Sequence, residues 1–367
     1  MGEKKMPVKI ESFRIGCGRY LQRKNILYEC AAQLKKYGNC PLILAGKTAW
    51  EIAGDAIDES LRAVQMPYSL RIHKGSCNRA DAEMAASLAK DEDRDLIVGV
   101  GGGVIMDFAK LAAEAADLPI VNIPTSSATC AAYTPLSVCY TAEGRTVGTV
   151  HHDREVDAVL VDPALLLRQP PRLLLAGVFD AQAKFLEIKH RYRPEDESYP
   201  LGLDYAYVMA VRSYEELSNK TAAALEAMER GECTEAFEQV IFTAIAATGM
   251  ISGIARGSNQ TALGHKFYEI TRALYPVESK PYLHGELVGV GLLLQNEYNG
   301  EREKNAEILA FMKQYGMPHS PATAGVPADR ETLSTYYKKI MASSAMAEAA
   351  PEDGEKLRAA LEYFWRI

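Results

Sequence analysis

The sequence is poor in the features that would commit a chain to a disulfide scaffold, to nucleic acid or to a membrane. Its seven cysteines (Cys17, Cys30, Cys40, Cys77, Cys130, Cys139 and Cys233) are odd in number, scattered and never spaced as CxxC. That argues against both a disulfide framework and a structural zinc knuckle. No basic run interleaved with aromatics occurs, and 41 Lys+Arg against 48 Asp+Glu give a net charge of -7, so no nucleic-acid partner is expected. The longest apolar helical stretch, Gln239 to Ala255, is interrupted by Thr243, Thr248, Gly249, Ser252 and Gly253. It suits a buried core helix better than a bilayer span, and no membrane partner is expected. The first residues, Met1-Gly2-Glu3-Lys4-Lys5-Met6-Pro7, lack the apolar core of a secretory signal, which points to a cytoplasmic address. Small-molecule partners remain.

What is present is enough apolar sequence for a sizeable core, 48% of 367 residues, more naturally divided into two domains than held as one. Short β-rich runs alternate with helical patterns through the first half: Pro41 to Ala45, Tyr68 to Ile72, Leu96 to Val100, Ile120 to Ile123 and Ala158 to Val161. Such alternation is the mark of βαβ units around a parallel sheet. After Pro170-Pro171 the character changes. The stretches Leu173 to His190, Asp204 to Arg230, Thr234 to Arg256, Asn259 to Tyr275 and His284 to Tyr298 read as helices with no convincing strand between them. The expected architecture is an α/β domain with a Rossmann-like parallel sheet over residues 1–165 and an all-helical domain over 166–367. Residues 191–200 read as a polar loop within the helical half.

The run Leu96-Ile97-Val98-Gly99-Val100-Gly101-Gly102-Gly103-Val104 leads into Ile105-Met106-Asp107-Phe108-Ala109-Lys110, a pattern of strand, glycine turn and helix. Adjacent glycines let backbone N–H groups approach an anion without Cβ obstruction, and the helix beyond them aims its positive end at the same place. A pyrophosphate fits there. The spacing departs from GxGxxG, so it is not a standard Rossmann fingerprint. Gly101, Gly102, Gly103, Val104, Asp107 and Lys110 form the candidate cofactor-binding run.

This run, followed by Ile123-Pro124-Thr125, resembles the iron-type alcohol dehydrogenase and glycerol dehydrogenase superfamily, which includes dehydroquinate synthase. The resemblance extends over nearly the whole chain. It implies a dehydroquinate synthase-like architecture, an NAD(P)(H) cofactor, one divalent metal and assembly into a homo-oligomer.

From Leu118 to Ala142 no charged residue occurs, and the stretch is rich in Ser, Thr and Ala and broken by Pro124 and Pro135. It reads as a loop whose hydroxyls and N–H groups line a pocket. The resemblance assigns Thr125, Ser126, Thr134, Leu136 and Tyr140 to the nicotinamide half of the cofactor. Where glycerol dehydrogenases place an aspartate for polyol hydroxyls, this chain has Cys130. A thiol is a poor acceptor for a hydroxyl and adds no negative charge, so glycerol is disfavoured and an anionic substrate tolerated. The run from Ala128 to Val138 resembles the hydroxycarboxylate dehydrogenases that reduce 2-oxoacids.

Asp180 in GVFDAQAK, His265 in GHKF and His284 in HGE offer one carboxylate and two imidazoles, donors suited to Zn or Fe with an open position for a substrate oxygen. The two histidines are 19 positions apart and share no helical face, so spacing alone does not select them. The resemblance does, because all three motifs fall in the expected order. Such a cation would act as a Lewis acid on the substrate oxygen. His73, His151, His152, His190 and His319 lack ligand-like context and read as surface or loop residues.

Lys184 lies one helical turn after Asp180, where iron-type relatives carry a fourth ligand, a histidine. It either attracts the carboxylate of a 2-oxo or 2-hydroxy acid or forms a salt bridge with Asp180 or Glu187. With Cys130 it completes the candidate catalytic pair. The strand from Pro41 runs into Gly46-Lys47-Thr48 with no acid at its tip; Lys47 is therefore placed at the adenosine ribose, with a lean towards NADP(H). The expected function is hydride transfer between a nicotinamide and a 2-hydroxy acid/2-oxoacid pair. Polyol dehydrogenase, dehydroquinate synthase-like lyase and non-catalytic nucleotide sensor are the alternatives.

Overall fold

A computed structural model describes residues 13–141, 146–192, 200–347 and 349–367. The N-terminal run Met1 to Pro7 and most of the polar loop at 191–200 lie outside the described residues. Six strands form one parallel sheet: β1 (Tyr20–Gln22), β2 (Pro41–Gly46), β3 (Ser69–His73), β4 (Leu96–Gly101), β5 (Ile120–Pro124) and β8 (Ala158–Val161). Their order is β1-β8-β5-β4-β2-β3. The runs at β2, β4 and β8 are apolar without alternation because both faces of the sheet are covered, and their residues are buried throughout except Gly46. Helices α1 (Lys47–Ala63), α2 (Arg79–Asp91) and α3 (Gly103–Ala116) supply the crossovers. A separate antiparallel hairpin pairs β6 (Leu136–Tyr140) with β7 (Thr146–His151).

Beyond β8 every described element is helical. Helix α4 (Pro171–Ile188) is followed by α5 (Leu201–Arg230) and then by α6, which runs from Glu235–Phe242 through a π-helical turn at Thr243–Ala247 into Thr248–Ala255. Next come α7 (Leu263–Leu274) and α8 (His284–Asn299), then α9 (Asn305–Gln314), α10 (Arg330–Met341) and α11 (Pro351–Phe364). Helix α6 is long and apolar enough to cross a bilayer by length and composition, yet 61% of its most apolar window is buried within the protein. The hydroxyl groups of Thr243 and Thr248 are turned back onto the carbonyls of Gln239 and Thr243.

One buried apolar cluster joins the two halves, running from Leu42, Ile97 and Val161 of the sheet to Phe179, Leu287 and Phe364 of the helices. A second cluster, including Ile43, Val98, Val121 and Leu160, fills the opposite face of the sheet beneath α1. Helix α4 is buried along nearly its whole length because it is packed between its neighbours. It consequently carries polar groups into the interior, where they must find partners.

Candidate metal centre and nucleotide cleft

The chain leaves β2 for β3 on one side and returns to β4 on the other, so β2 and β4 flank the place where strand order reverses. In parallel sheets the crevice at the carboxyl ends of such strands receives ligands. Strand β4 ends there at Gly101, and α3 begins immediately, with the N–H groups of Ile105 and Met106 bonded to the Gly102 carbonyl at 3.0 and 3.1 Å. The earlier N–H groups, of Gly103 and Val104, have no intrahelical acceptor and are available to an anion. A Cβ on Gly102 would lie 3.4 Å from Ser126 Oγ, and one on Gly103 would lie 3.1 Å from Thr129 Oγ1. The uncharged loop therefore packs directly against the glycine turn, and Thr125 N–H donates to the Gly101 carbonyl at 2.9 Å.

Asp107 and Lys110, expected in the cofactor set, are both buried on the inner side of α3. The Lys110 ammonium lies 3.0 Å from Asp107 and donates to the carbonyls of Ala131 (2.8 Å), Thr134 (2.9 Å) and Leu136. Asp107 also accepts the Val138 N–H at 3.1 Å. Burial raises the Asp107 carboxyl above its ordinary range, against the pull of Lys110. The pair thus holds the uncharged loop and the start of β6 in place. Thr134 is buried, with its hydroxyl 3.5 Å from the Cys130 carbonyl, whereas Thr125, Ser126, Leu136 and Tyr140 are half-buried. Lys47 opens α1 beside the β2 tip and is 74% exposed; among the described residues its one ion-pair contact is to Glu51, at 3.8 Å. Its strand neighbour Gly46 is in register with His73.

Asp180, His265 and His284 converge from α4, α7 and α8, and one donor atom from each lies within 4.8 Å of the others. Asp180 Oδ1 is 3.5 Å from His265 Nε2 and 3.3 Å from His284 Nε2. Glycines permit this convergence. A Cβ on Gly291 of α8 would sit 2.5 Å from the Gly264 carbonyl oxygen of α7, and His265 follows Gly264 directly. Burial would raise the Asp180 carboxyl, but the Lys184 cation and hydrogen bonds from both histidines hold it well below the usual range. Burial likewise opposes charge on His265, yet the carboxylates of Glu187 and Asp180 raise it to about 9. One carboxylate oxygen and two imidazole nitrogens at these separations fit a divalent cation, and three protein donors leave coordination positions free for an oxygen ligand.

Lys184 is 5% exposed. Among the described residues it forms no ion pair with Asp180 or Glu187, so the intrahelical salt bridge is not formed. Glu187 is instead engaged by His265, at 2.5 Å from Nδ1. Cys130 lies within electrostatic range of Asp180 and Lys184, and its thiol meets Ser252 of α6. Burial, then the Asp180 charge, push that thiol up to about 11, which keeps it protonated near neutral pH and removes it as a nucleophile.

Residues given no role from the sequence also support the site. Tyr268 of α7 packs edge-on against His284, with ring centroids 4.3 Å apart. Glu286 of the HGE motif is fully buried, takes a two-pronged contact from Arg172 at 2.8 and 2.9 Å, and accepts the Leu283 N–H at 2.8 Å, which secures the first turn of α8. His152 requires a correction, because it is buried rather than on the surface. Its ring joins Ser137 Oγ at 2.8 Å to Glu114 at 2.5 Å, tying the hairpin to α3, and no local motif in the sequence announces that role.

The profile of the family described as iron-containing alcohol dehydrogenase matches residues 17–163. The chain is 31% identical over 260 residues to hydroxycarboxylate dehydrogenase A of Escherichia coli K12, covering 71% of each protein. It belongs to the iron-containing alcohol dehydrogenase family. This family member is also 29% identical over 320 residues to a glycerol dehydrogenase of Thermotoga maritima, covering 84% of each. Its fold matches the crystal structure of a probable glycerol dehydrogenase from Sinorhizobium meliloti 1021 with a TM-score of 0.80 at 24% identity, over 97% of this chain and 99% of that one. The protein is therefore an oxidoreductase of the alcohol dehydrogenase type, with the dehydroquinate synthase-like arrangement of a six-stranded parallel sheet and a helical C-terminal region.

Proposed function

We propose that this dehydrogenase interconverts a 2-oxoacid and a 2-hydroxy acid, with NADP(H) as the favoured nicotinamide and a divalent zinc or iron ion held by Asp180, His265 and His284. The balanced reaction is 2-oxoacid plus NAD(P)H plus a proton giving the 2-hydroxy acid and NAD(P)+. The observation that carries the reading is Lys184, a buried cation one turn from Asp180 with no protein ion-pair partner among the described residues. A largely buried cation with no carboxylate in direct contact is costly, and an anionic substrate group would offset that cost. When bound, the divalent ion would supply Lewis-acid polarisation of the substrate oxygen.

The chain's own residues have distinct tasks in this reading. First-turn N–H groups at Gly103 and Val104 receive the cofactor pyrophosphate, and the loop from Thr125 to Leu136, held by Lys110, lines the nicotinamide. Lys184 takes the substrate carboxylate. Cys130, neutral at physiological pH, leaves that carboxylate unrepelled, where an aspartate at the same position would oppose it. Lys47, with no acid at the β2 tip, faces the ribose 2′-phosphate of NADP(H). The chain divides at about residue 165 into a nucleotide-binding domain and a metal-binding domain. Similarity to glycerol dehydrogenases favours a polyol as the second reading, and the thiol at position 130 opposes it.

The test is a substrate screen with zinc or ferrous iron supplied: 2-oxoacids with both reduced cofactors, and glycerol and simple alcohols with both oxidised ones. Reduction of 2-oxoacids well above turnover of neutral alcohols is expected. Preferential oxidation of glycerol would contradict the substrate assignment, and tighter binding of NAD(H) than NADP(H) would contradict the cofactor assignment.

A further inference from the structure

Glu187 lies two helical turns beyond Asp180 on α4 and is 1% exposed, yet neither the hydride chemistry nor the cation requires its carboxylate as a ligand. Its two oxygens serve different groups. Oε2 is 2.5 Å from His265 Nδ1, while Oε1 accepts the backbone N–H of Ala262 at 2.7 Å and of His265 at 2.9 Å. Helix α7 begins after Ala262, which has no side-chain acceptor to cap it, so its first N–H groups depend on neighbouring helices. Gln295 of α8 takes the Leu263 N–H at 2.9 Å, and Glu187 takes those of Ala262 and His265. Gly264 eases the approach, because a Cβ there would crowd Leu292 Cδ2 at 3.1 Å and Glu187 Oε1 at 3.2 Å.

We propose that Glu187 is the positioning residue of the metal centre: by holding His265 Nδ1–H and the first turn of α7 with one carboxylate, it aims His265 Nε2 at the cation. The inference rests on the reading that Asp180, His265 and His284 bind a divalent ion. An imidazole has two nitrogens, and engaging one in a strong charge-assisted hydrogen bond fixes the tautomer, sets the ring plane and makes the other a better donor. Because the same carboxylate fixes the His265 backbone, ring and main chain are oriented together. His284 lacks such a carboxylate partner on its outer nitrogen among the described residues and is steadied by the Tyr268 ring. A glutamate buried this deeply persists only with several donors, and three are present.

Two readouts test this in the full-length protein: Zn2+ affinity, by competition with a chromophoric chelator, and the visible spectrum of the Co2+-substituted form. Glu187→Gln is expected to weaken Zn2+ binding by about 10- to 100-fold and to shift the Co2+ bands. Glu187→Asp, which keeps the charge but shortens the reach, should lose less. Gln295→Ala, which removes another α7 cap without touching His265, should lower thermal stability while leaving Zn2+ affinity and the Co2+ spectrum unchanged. Wild-type affinity and spectrum in Glu187→Gln would overturn the proposal, as would an equal loss of affinity in Gln295→Ala. If the unsubstituted protein bound no Zn2+, the functional reading would fall with it; equal binding by wild type and Glu187→Gln would remove the role of Glu187 alone.

Discussion

Gly285 rests on the backbone of Ala176: a Cβ built on Gly285 would lie 1.9 Å from the Ala176 carbonyl oxygen. The contact joins the first turn of α8, which carries His284, to the stretch of α4 that leads to Asp180. A side chain at 285 would meet backbone, which cannot rotate away, so the approach of the two helices depends on the absence of that one carbon.

Gly285→Ala is accordingly expected to force α8 away from α4. Overpacking of this kind costs about 1–3 kcal/mol, and the displacement should weaken Zn2+ binding as well. Urea denaturation and chelator competition measure the two effects. A variant as stable as wild type and with equal Zn2+ affinity would show that the helices do not need this contact.

Replacing Lys184 with methionine removes the buried cation and keeps much of its volume. A charged hydrogen bond of about 1.5–3 kcal/mol corresponds to roughly 10- to 100-fold in kcat/KM, and the loss should be larger by that factor for 2-oxoacids than for neutral carbonyl substrates, which share only the effect on Asp180. Steady-state kinetics on a matched acid and alcohol pair gives the answer. An unchanged preference for acids would remove Lys184 from substrate recognition.

Much of the sheet is legible in the sequence because parallel strands covered on both faces are near-continuous apolar runs, as at Leu96 to Val100 and Ala158 to Val161. Strand β1 is only three residues long, and β7 (Thr-Val-Gly-Thr-Val-His) mixes Thr, Gly and His with its two valines, so neither β1 nor the hairpin that β7 forms with β6 stands out. His265 and His284 are far apart in sequence and meet because α7 and α8 pack at Gly264 and Gly291, a relation carried by tertiary contact. Asp180, Lys184 and Glu187, by contrast, stand at i, i+4 and i+7 of one helix. That period was the available signal for Glu187.

Burial lowers the pKa of His152 below its ordinary value of 6.5, although the bond to Glu114 pulls the other way. Between that lowered value and 6.5 the unfolded chain binds more protons than the folded one, so stability rises with pH across this window. The contribution is fully present above about pH 6.5 and is lost as the pH falls through the folded-state value. Thermal melts from pH 8 to pH 5.5 should therefore show a steeper acid loss for wild type than for His152→Gln. Parallel profiles would contradict a buried, neutral His152.

Lys110→Met would leave Asp107 buried without its cation and would strip three loop carbonyls of their donor. Removing one partner of a buried pair costs about 3–5 kcal/mol, and nucleotide affinity should fall because the loop facing Gly102 and Gly103 loses its tether. Denaturant unfolding and fluorescence titration with NADPH check both consequences. Retained affinity in a folded variant would mean that the loop is held by other contacts.

The most direct test of the metal assignment is anomalous diffraction from crystals of the full-length protein loaded with Zn2+. The expected peak lies among an Asp180 carboxylate oxygen, His265 Nε2 and His284 Nε2, at about 2.0–2.2 Å from each. A Zn2+ ion bound elsewhere, or these three side chains turned apart with no peak among them, would contradict the account.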